Sequence, residues 1–187
     1  KDNISLILGD NFFYGQSLSE KLKRASKLKK GAIIFSYPVK NPSRFGVVTV
    51  KGKKIVSLIE KPRNTNSNLA ITGLYFFDNS VVKKTLSLKN SKRNELEIID
   101  LLKMYKKNNL LKTEALGRGA AWLDAGTIED FNQTSLFVSA IEKRQGLKIA
   151  CLEEIAFLNK WINKNKLREA ISFYGNCDYS KYLRGLF

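Results

Sequence analysis

Three groups of side chains have types and positions suited to chemistry. Asp10 follows the short apolar run Ser5-Leu6-Ile7-Leu8, with Gly9 between them. In open α/β sheets, ligands sit beyond the carboxyl ends of strands, near a switch in strand order. A carboxylate there can hold Mg2+, which takes one or two carboxylates and completes its shell with water and phosphate oxygens. Asp124 occupies a similar place in Trp122-Leu123-Asp124-Ala125-Gly126-Thr127, where a strand-like stretch gives way to a helix start. Two such acids, distant along the chain, could meet across adjacent strand ends and share one metal ion. The third group is basic. Lys61 follows Glu60 at a strand end, and Arg93 lies two residues before Glu95-Leu96-Glu97-Ile98. A guanidinium and an ammonium converging on one phosphate grip it by a planar fork and a point charge respectively. Taken singly, each aspartate also fits a turn or a helix cap, and each base a surface ion pair.

These residues need a scaffold, and the hydrophobic pattern supplies one. Residues 5–8 have the length and punctuation of a buried parallel strand. A helix over 17–29 follows, with Leu18, Leu22, Ala25 and Leu28 on one face, stopped by Gly31. Residues 32–39 form a second strand, and this strand–helix–strand order predicts a parallel α/β sheet with a right-handed crossover. Alternation over 45–50 and 55–59 around Lys51-Gly52-Lys53-Lys54 predicts a hairpin. Further strands are expected at 70–77 and 111–116, and a helix at 95–106, with Asp78, Asn79 or Ser80 as a cap for a helix after the 70–77 strand. A helix from Thr127 carries acids in its first turn, turns Phe131, Ser135, Val138 and Ile141 inward and stops at Gly146. Short amphipathic helices around 153–158 and 165–173 precede an aromatic-rich tail. The fold class is therefore α/β: an incomplete Rossmann-like mixed, mainly parallel sheet flanked by helices, with a small β-hairpin lobe and a C-terminal helical extension. The division falls between 1–146 and 147–187.

Composition removes several chemistries. The chain of 187 residues contains no histidine, which excludes Ser-His-Asp and Cys-His catalysis and histidine-based zinc sites. Cys151 and Cys177 read as free, reduced thiols. The net charge of +16 raises the question of nucleic acid. The lysines are scattered over helix faces and turns without a zinc knuckle, helix-turn-helix or RNA-stacking motif, so a solvated surface and an anionic small substrate are the better readings. No apolar run approaches the ~20 residues of a membrane span, and no signal-peptide pattern opens the chain, so a cytoplasmic location is expected. The chain starts without methionine, directly in a strand pattern, and an upstream segment is expected to be missing.

Taken in order, Leu8-Gly9-Asp10-Asn11, Phe45-Gly46-Val47-Val48, Glu60-Lys61-Pro62, Ala70-Ile71-Thr72-Gly73-Leu74-Tyr75, Arg93 to Ile98, Gly117-Arg118-Gly119, Trp122 to Thr127 and Glu142 to Lys148 resemble the sugar nucleotidyltransferase family. Within it they are similar to the bacterial glucose-1-phosphate thymidylyltransferases, over nearly the whole chain to about Phe157. The narrower likeness rests on Arg144-Gln145-Gly146 and on the segment from Glu153 to Phe157. The resemblance implies a Mg2+-dependent transfer: an oxygen of glucose 1-phosphate attacks the α-phosphorus of dTTP in line, giving dTDP-glucose and pyrophosphate. Such chemistry needs positioning and charge neutralisation rather than a covalent residue. By similarity Asp10 and Asp124 hold the metal, while Lys61 and Arg93 serve the transfer by holding the sugar phosphate. Asn11, Phe45, Gly46, Glu60, Ile71 and Tyr75 line the sugar pocket, with Glu60 accepting from sugar hydroxyls and Gly46 and Ile71 offering backbone groups.

Phe45 stands where the family usually has Tyr, and Asn94 where it has Gly; neither change removes a charge. A regulatory nucleotide site is implied at Tyr14, Gly15, Arg118, Glu154 and Ile155, although Leu158 replaces an expected Arg. The family's Gly-rich triphosphate loop has no counterpart in this sequence, so the chain by itself is expected to be inactive, with its base preference set elsewhere. The resemblance also implies a homo-oligomer, tetramer or dimer, with a role in dTDP-sugar and polysaccharide biosynthesis. A uridylyl- or cytidylyltransferase on another sugar phosphate, or a non-catalytic sugar-nucleotide-binding module, are the alternatives.

Overall fold

A computed structural model describes residues 2–91 and 94–187. The chain forms two compact units, Lys1–Thr127 and Ile128–Phe187. The break thus precedes the long helix after Thr127, whereas the sequence reading divides the chain behind that helix, at Gly146.

The first unit is built on a six-stranded sheet. Its strands are β1 (Ile4–Ile7), β3 (Ala32–Pro38), β4 (Val47–Lys51), β5 (Lys54–Ile59), β6 (Leu69–Phe77) and β7 (Leu111–Ala115). The order is β5-β4-β6-β3-β7, and β1 also pairs with β6. β3 takes the whole of one edge of β6. The other edge is shared by β1, opposite Leu74–Phe77, and by β4, opposite Ala70. The end of β1 and the start of β4 therefore sit beside one another along β6. The pairings make β1, β3, β4 and β7 run one way and β5 and β6 the other, so the sheet is mixed with most strands codirectional.

Side-chain alternation divides the core between the two faces of the sheet. Ile34, Tyr75 and Phe77 pack with Leu101, Leu102 and Tyr105 of α3 (Ile98–Lys107). Phe35, Leu74 and Phe76 pack with Ala25 of α1 (Leu18–Ala25), Leu116 and Trp122. Covered on both faces, β6 is buried from Ala70 to Phe77. Its end is tied down by Asp78, whose carboxylate accepts from the Gly31 N–H (2.5 Å), the Ser80 N–H (3.0 Å) and the Tyr105 hydroxyl (3.1 Å). Ser80 opens the short α2 (Val81–Leu86), so this one carboxylate joins β3, β6, α2 and α3.

β1 departs from expectation. All four of its residues are exposed, Ile7 by 57%, and its neighbour is the antiparallel β6 rather than a parallel strand. Because β6 lies between β1 and β3, the two strands keep the expected common direction without touching. An apolar run signals compatibility with burial but does not say which strand comes alongside. After β1 the chain turns at Gly9-Asp10, with the Asn11 N–H donating to the Leu8 carbonyl, and enters β2 (Asn11–Tyr14). β2 pairs antiparallel with β8 (Ala121–Asp124) in a separate two-stranded sheet, with Asn11 opposite Asp124 and Phe13 opposite Trp122.

The second unit is helical: α4 (Ile128–Gln145), α5 (Leu152–Leu158), α6 (Lys164–Tyr174) and α7 (Asp178–Arg184). Cys151, Leu167, Ile171 and Leu183 form its small core. In α4 only Thr134 is buried; Phe131 and Ser135, expected inward, are exposed. The aromatic-rich tail contains a helix that the sequence reading leaves out. α7 is capped by Cys177, whose sulfur accepts from the Ser180 N–H while the Ser180 hydroxyl accepts from the Cys177 N–H. Both cysteines are free. Among the described residues, no helix is long and apolar enough to cross a membrane.

Candidate active site

The two aspartates meet. Asp10 sits in the turn between β1 and β2, and Asp124 ends β8, directly across the two-stranded ladder from Asn11. The Ala125 N–H donates to the Asp10 carbonyl (2.8 Å), which extends the ladder by one bond and fixes the turn against the β8 end. A methyl group built on Gly126 would lie 3.2 Å from Asp124 Oδ1 and 3.6 Å from Asp10 Oδ2. Two carboxylate oxygens from distant parts of the chain thus face the same small space, which stays open because residue 126 has no side chain.

The surroundings hold this pair in place. Asn11 Nδ2 donates to Asp10 Oδ1 (2.7 Å). Asn11 Oδ1 accepts from Trp122 Nε1 (2.6 Å) and from the Gly73 N–H of β6 (3.1 Å). Gly73 is required there, since a Cβ would come within 2.7 Å of the Asn11 amide. This correlates the small sheet with the large one at the point where β1 gives way to β4. The Trp122 ring in turn packs at 5.0 Å between centroids against Phe45 and at 6.1 Å, edge-on, against Tyr37.

Phe45 leads to the remaining residues. Its carbonyl accepts from the Lys61 N–H (3.1 Å), and the Gly46 carbonyl accepts from the Ile71 N–H (2.7 Å). That bond links two of the backbone groups expected to face a sugar, so the Gly46 carbonyl and the Ile71 N–H serve each other and fasten the hairpin to β6. The Glu60 carboxylate stands beside Gly46, where a Cβ would meet Glu60 Oε2 at 3.1 Å. Tyr75 is buried and stacked on Phe77. Burial, followed by the negative charge of Glu60, raises its phenol well above the ordinary range.

Lys61 is exposed and adopts a left-handed backbone, φ 39°, uncommon for a residue with a Cβ. With Glu60 it lines a cleft of about 550 Å³ that also takes in Ser91, Glu97 and Lys103. Arg93 lies outside the described residues. Among the described residues no group of three or more Asp, Glu, Cys or His side chains is arranged to hold a metal ion.

The residues suggested for a regulatory site are divided between the units. Tyr14 ends β2 opposite Ala121, Gly15 packs its backbone against Ala120, and Arg118 is exposed in the loop before β8. Glu154 and Ile155 lie on α5, where Glu154 Oε2 accepts from the Tyr182 hydroxyl (2.7 Å). Three contributors were absent from the sequence-based site: Trp122, Gly73 and Gly126. Trp122 and Gly126 flank Asp124 within one motif, but only the fold shows that the indole N–H reaches Asn11.

The first unit is thus a mixed α/β sheet with two carboxylates brought together where β1 and β8 end. Residues 1–140 match the Nucleotidyl transferase family model, and the chain belongs to that family. It is 48% identical over 183 residues to the glucose-1-phosphate thymidylyltransferase of Neisseria meningitidis serogroup A / serotype 4A, covering 97% of this chain and 64% of that protein. It is 42% identical over 182 residues to the enzyme of the same name from Xanthomonas campestris pv. campestris, covering 97% and 62%. The chain thus spans less than two thirds of the length of these relatives. A solved structure from Bacillus anthracis in complex with a sucrose shares the fold with a TM-score of 0.65 and 33% identity, over 73% of this chain and 54% of that one.

Proposed function

We propose that this chain supplies the metal and sugar-phosphate half of the active site of a glucose-1-phosphate thymidylyltransferase, which makes dTDP-glucose and pyrophosphate from glucose 1-phosphate and dTTP. The observation that carries this reading is the convergence of Asp10 Oδ2 and Asp124 Oδ1 on the space at Gly126. The relatives at 42–48% identity favour the thymidylyl over the uridylyl and cytidylyl reactions.

In this scheme Asp10 and Asp124 hold Mg2+. When bound, the ion would supply neutralisation of phosphate charge. Lys61, with Arg93, binds the phosphate of glucose 1-phosphate and directs its oxygen toward the α-phosphorus. Attack forms the new P–O bond as the bond to pyrophosphate breaks, so no side chain needs to become covalently attached. Glu60, beside Gly46, accepts from sugar hydroxyls and fixes the ring relative to the phosphate. Phe45 and Trp122 give the pocket an apolar side. The protein acts in the cytoplasm as a homo-oligomer, in the supply of dTDP-sugars for polysaccharides.

The test is pyrophosphate release by the intact protein with glucose 1-phosphate and, in turn, dTTP, UTP and CTP. The reading expects dTTP to be preferred, and Asp124→Asn to lower the rate on the order of a hundredfold or more. Turnover by UTP alone would replace the thymidylyl assignment. An unimpaired Asp124→Asn variant would remove the metal site.

A further inference from the structure

We infer that Trp122 is a positioning residue for the metal: through Asn11 it decides which way the Asp10 carboxylate faces. This rests on the assignment of Asp10 and Asp124 as the ligand pair.

The side-chain amide of Asn11 has one accepting end and one donating end, and the two look alike in shape. Trp122 Nε1–H and the Gly73 N–H are donors only. They meet the same end of the amide, at 2.6 and 3.1 Å, so that end must be the oxygen. The NH2 end is thereby turned toward Asp10 and donates to Oδ1 at 2.7 Å. With Oδ1 occupied, the other oxygen of Asp10 is the one that looks toward Gly126 and Asp124 Oδ1. Trp122 and Asn11 are separated by most of the first unit in sequence, and the β2–β8 register, which sets Phe13 opposite Trp122 and Asn11 opposite Asp124, brings them together.

Each neighbour limits the alternatives. The Asn11 amide lies so close to the Gly73 backbone that a Cβ there would collide with it. The indole packs against the Phe45 and Tyr37 rings. Without the indole N–H, Asn11 keeps a single donor on its oxygen and can rotate. Asp10 then loses its fixed orientation, although its charge and position in the turn are unchanged. Partners that orient metal ligands in this way typically carry 10–100-fold in metal affinity.

The test uses Mn2+ alone as the probe, with its affinity for the full chain read by electron paramagnetic resonance. Trp122→Phe keeps the ring but removes the donor, and is expected to weaken Mn2+ binding about tenfold. Tyr37→Leu loosens the packing of the same ring and leaves its N–H in place. It is expected to lower the melting temperature without changing the Mn2+ affinity. Asp124→Asn is the control for the underlying assignment and should abolish binding. If Asp124→Asn binds Mn2+ normally, the metal pair itself is misassigned. If Asp124→Asn loses Mn2+ while Trp122→Phe keeps it, the pair stands and the positioning role falls. An equal weakening in Trp122→Phe and Tyr37→Leu also overturns it, because packing alone would then account for the effect.

Discussion

Replacing Gly126 by alanine separates site geometry from stability more cleanly than any charge change. The new methyl would sit 3.2 Å from Asp124 Oδ1 and 3.6 Å from Asp10 Oδ2. The first distance is a few tenths of an ångström short of ordinary contact, so the Asp124 carboxylate must withdraw, and the methyl then fills the space that both oxygens face. Mg2+ demands near-octahedral geometry with bonds of about 2.0–2.1 Å, and a displacement of that size at one ligand is a large fraction of its tolerance. A loss of 10–100-fold in metal affinity, about 1.4–2.8 kcal/mol, is the scale expected for disturbing a ligand's support. The fold has no matching reason to weaken. Gly126 is exposed and does not adopt a positive φ, so alanine there should be neutral or stabilising by about 0.4–1 kcal/mol through the unfolded chain. Thermal denaturation with a Mn2+ titration reads both quantities. A melting temperature that holds or rises while Mn2+ binding falls at least tenfold supports the account. Unchanged Mn2+ affinity in a folded Gly126→Ala protein refutes the convergence of the carboxylates at that point.

Three further outcomes are expected. Gly73→Ala places a Cβ 2.7 Å from the Asn11 amide in a fully buried strand, and should cost about 1–3 kcal/mol in denaturant unfolding and also weaken Mn2+ binding. Asp78 is buried, which by itself raises its pKa, but the Gly31, Ser80 and Tyr105 donors outweigh this and hold it below the ordinary carboxylate range. Its contribution is therefore complete above the unfolded pKa near 4 and is lost as pH falls through the lower folded value. Asp78→Asn should destabilise by about 2 kcal/mol at pH 7, with the gap to the parent narrowing only below about pH 4 in pH-dependent unfolding. Glu114, pushed up by burial but lowered more by its bonds to Arg24 (2.6 Å) and Lys21 (3.1 Å), has the same sign. Glu114→Gln should cost about 1 kcal/mol at pH 7, read by the same assay.

Much of this arrangement is legible in the amino-acid string, and the rest is hidden for identifiable reasons. Alternation with a Gly-containing turn marks the β4–β5 hairpin, because a period of two is a local property. Asp10 and Asp124 stand out because Gly9 and Ala125-Gly126 punctuate the ends of apolar runs. Neighbours in the sheet are not local, however. The apolar β1 reads as buried, yet it lies exposed beside an antiparallel β6 that comes more than sixty residues later in the chain. Apolar spacing in α4 misleads in the same way, since Phe131 has the right periodicity but is 59% exposed. α7 escapes notice because its cap is a cysteine sulfur, outside the usual Ser, Thr, Asp and Asn signals. The bond from Trp122 to Asn11 has no sequence signature at all. It exists only because the β2–β8 register sets the two residues diagonally across the ladder.

The central claim is that Asp10 and Asp124 hold one divalent ion between them. Crystals of the intact protein soaked in Mn2+ test it directly, through the anomalous signal of the metal. The account predicts a single peak bonded to Asp10 Oδ2 and Asp124 Oδ1 at about 2.0–2.3 Å, next to Gly126. A peak bound to only one of these carboxylates, or located elsewhere on the molecule, contradicts it.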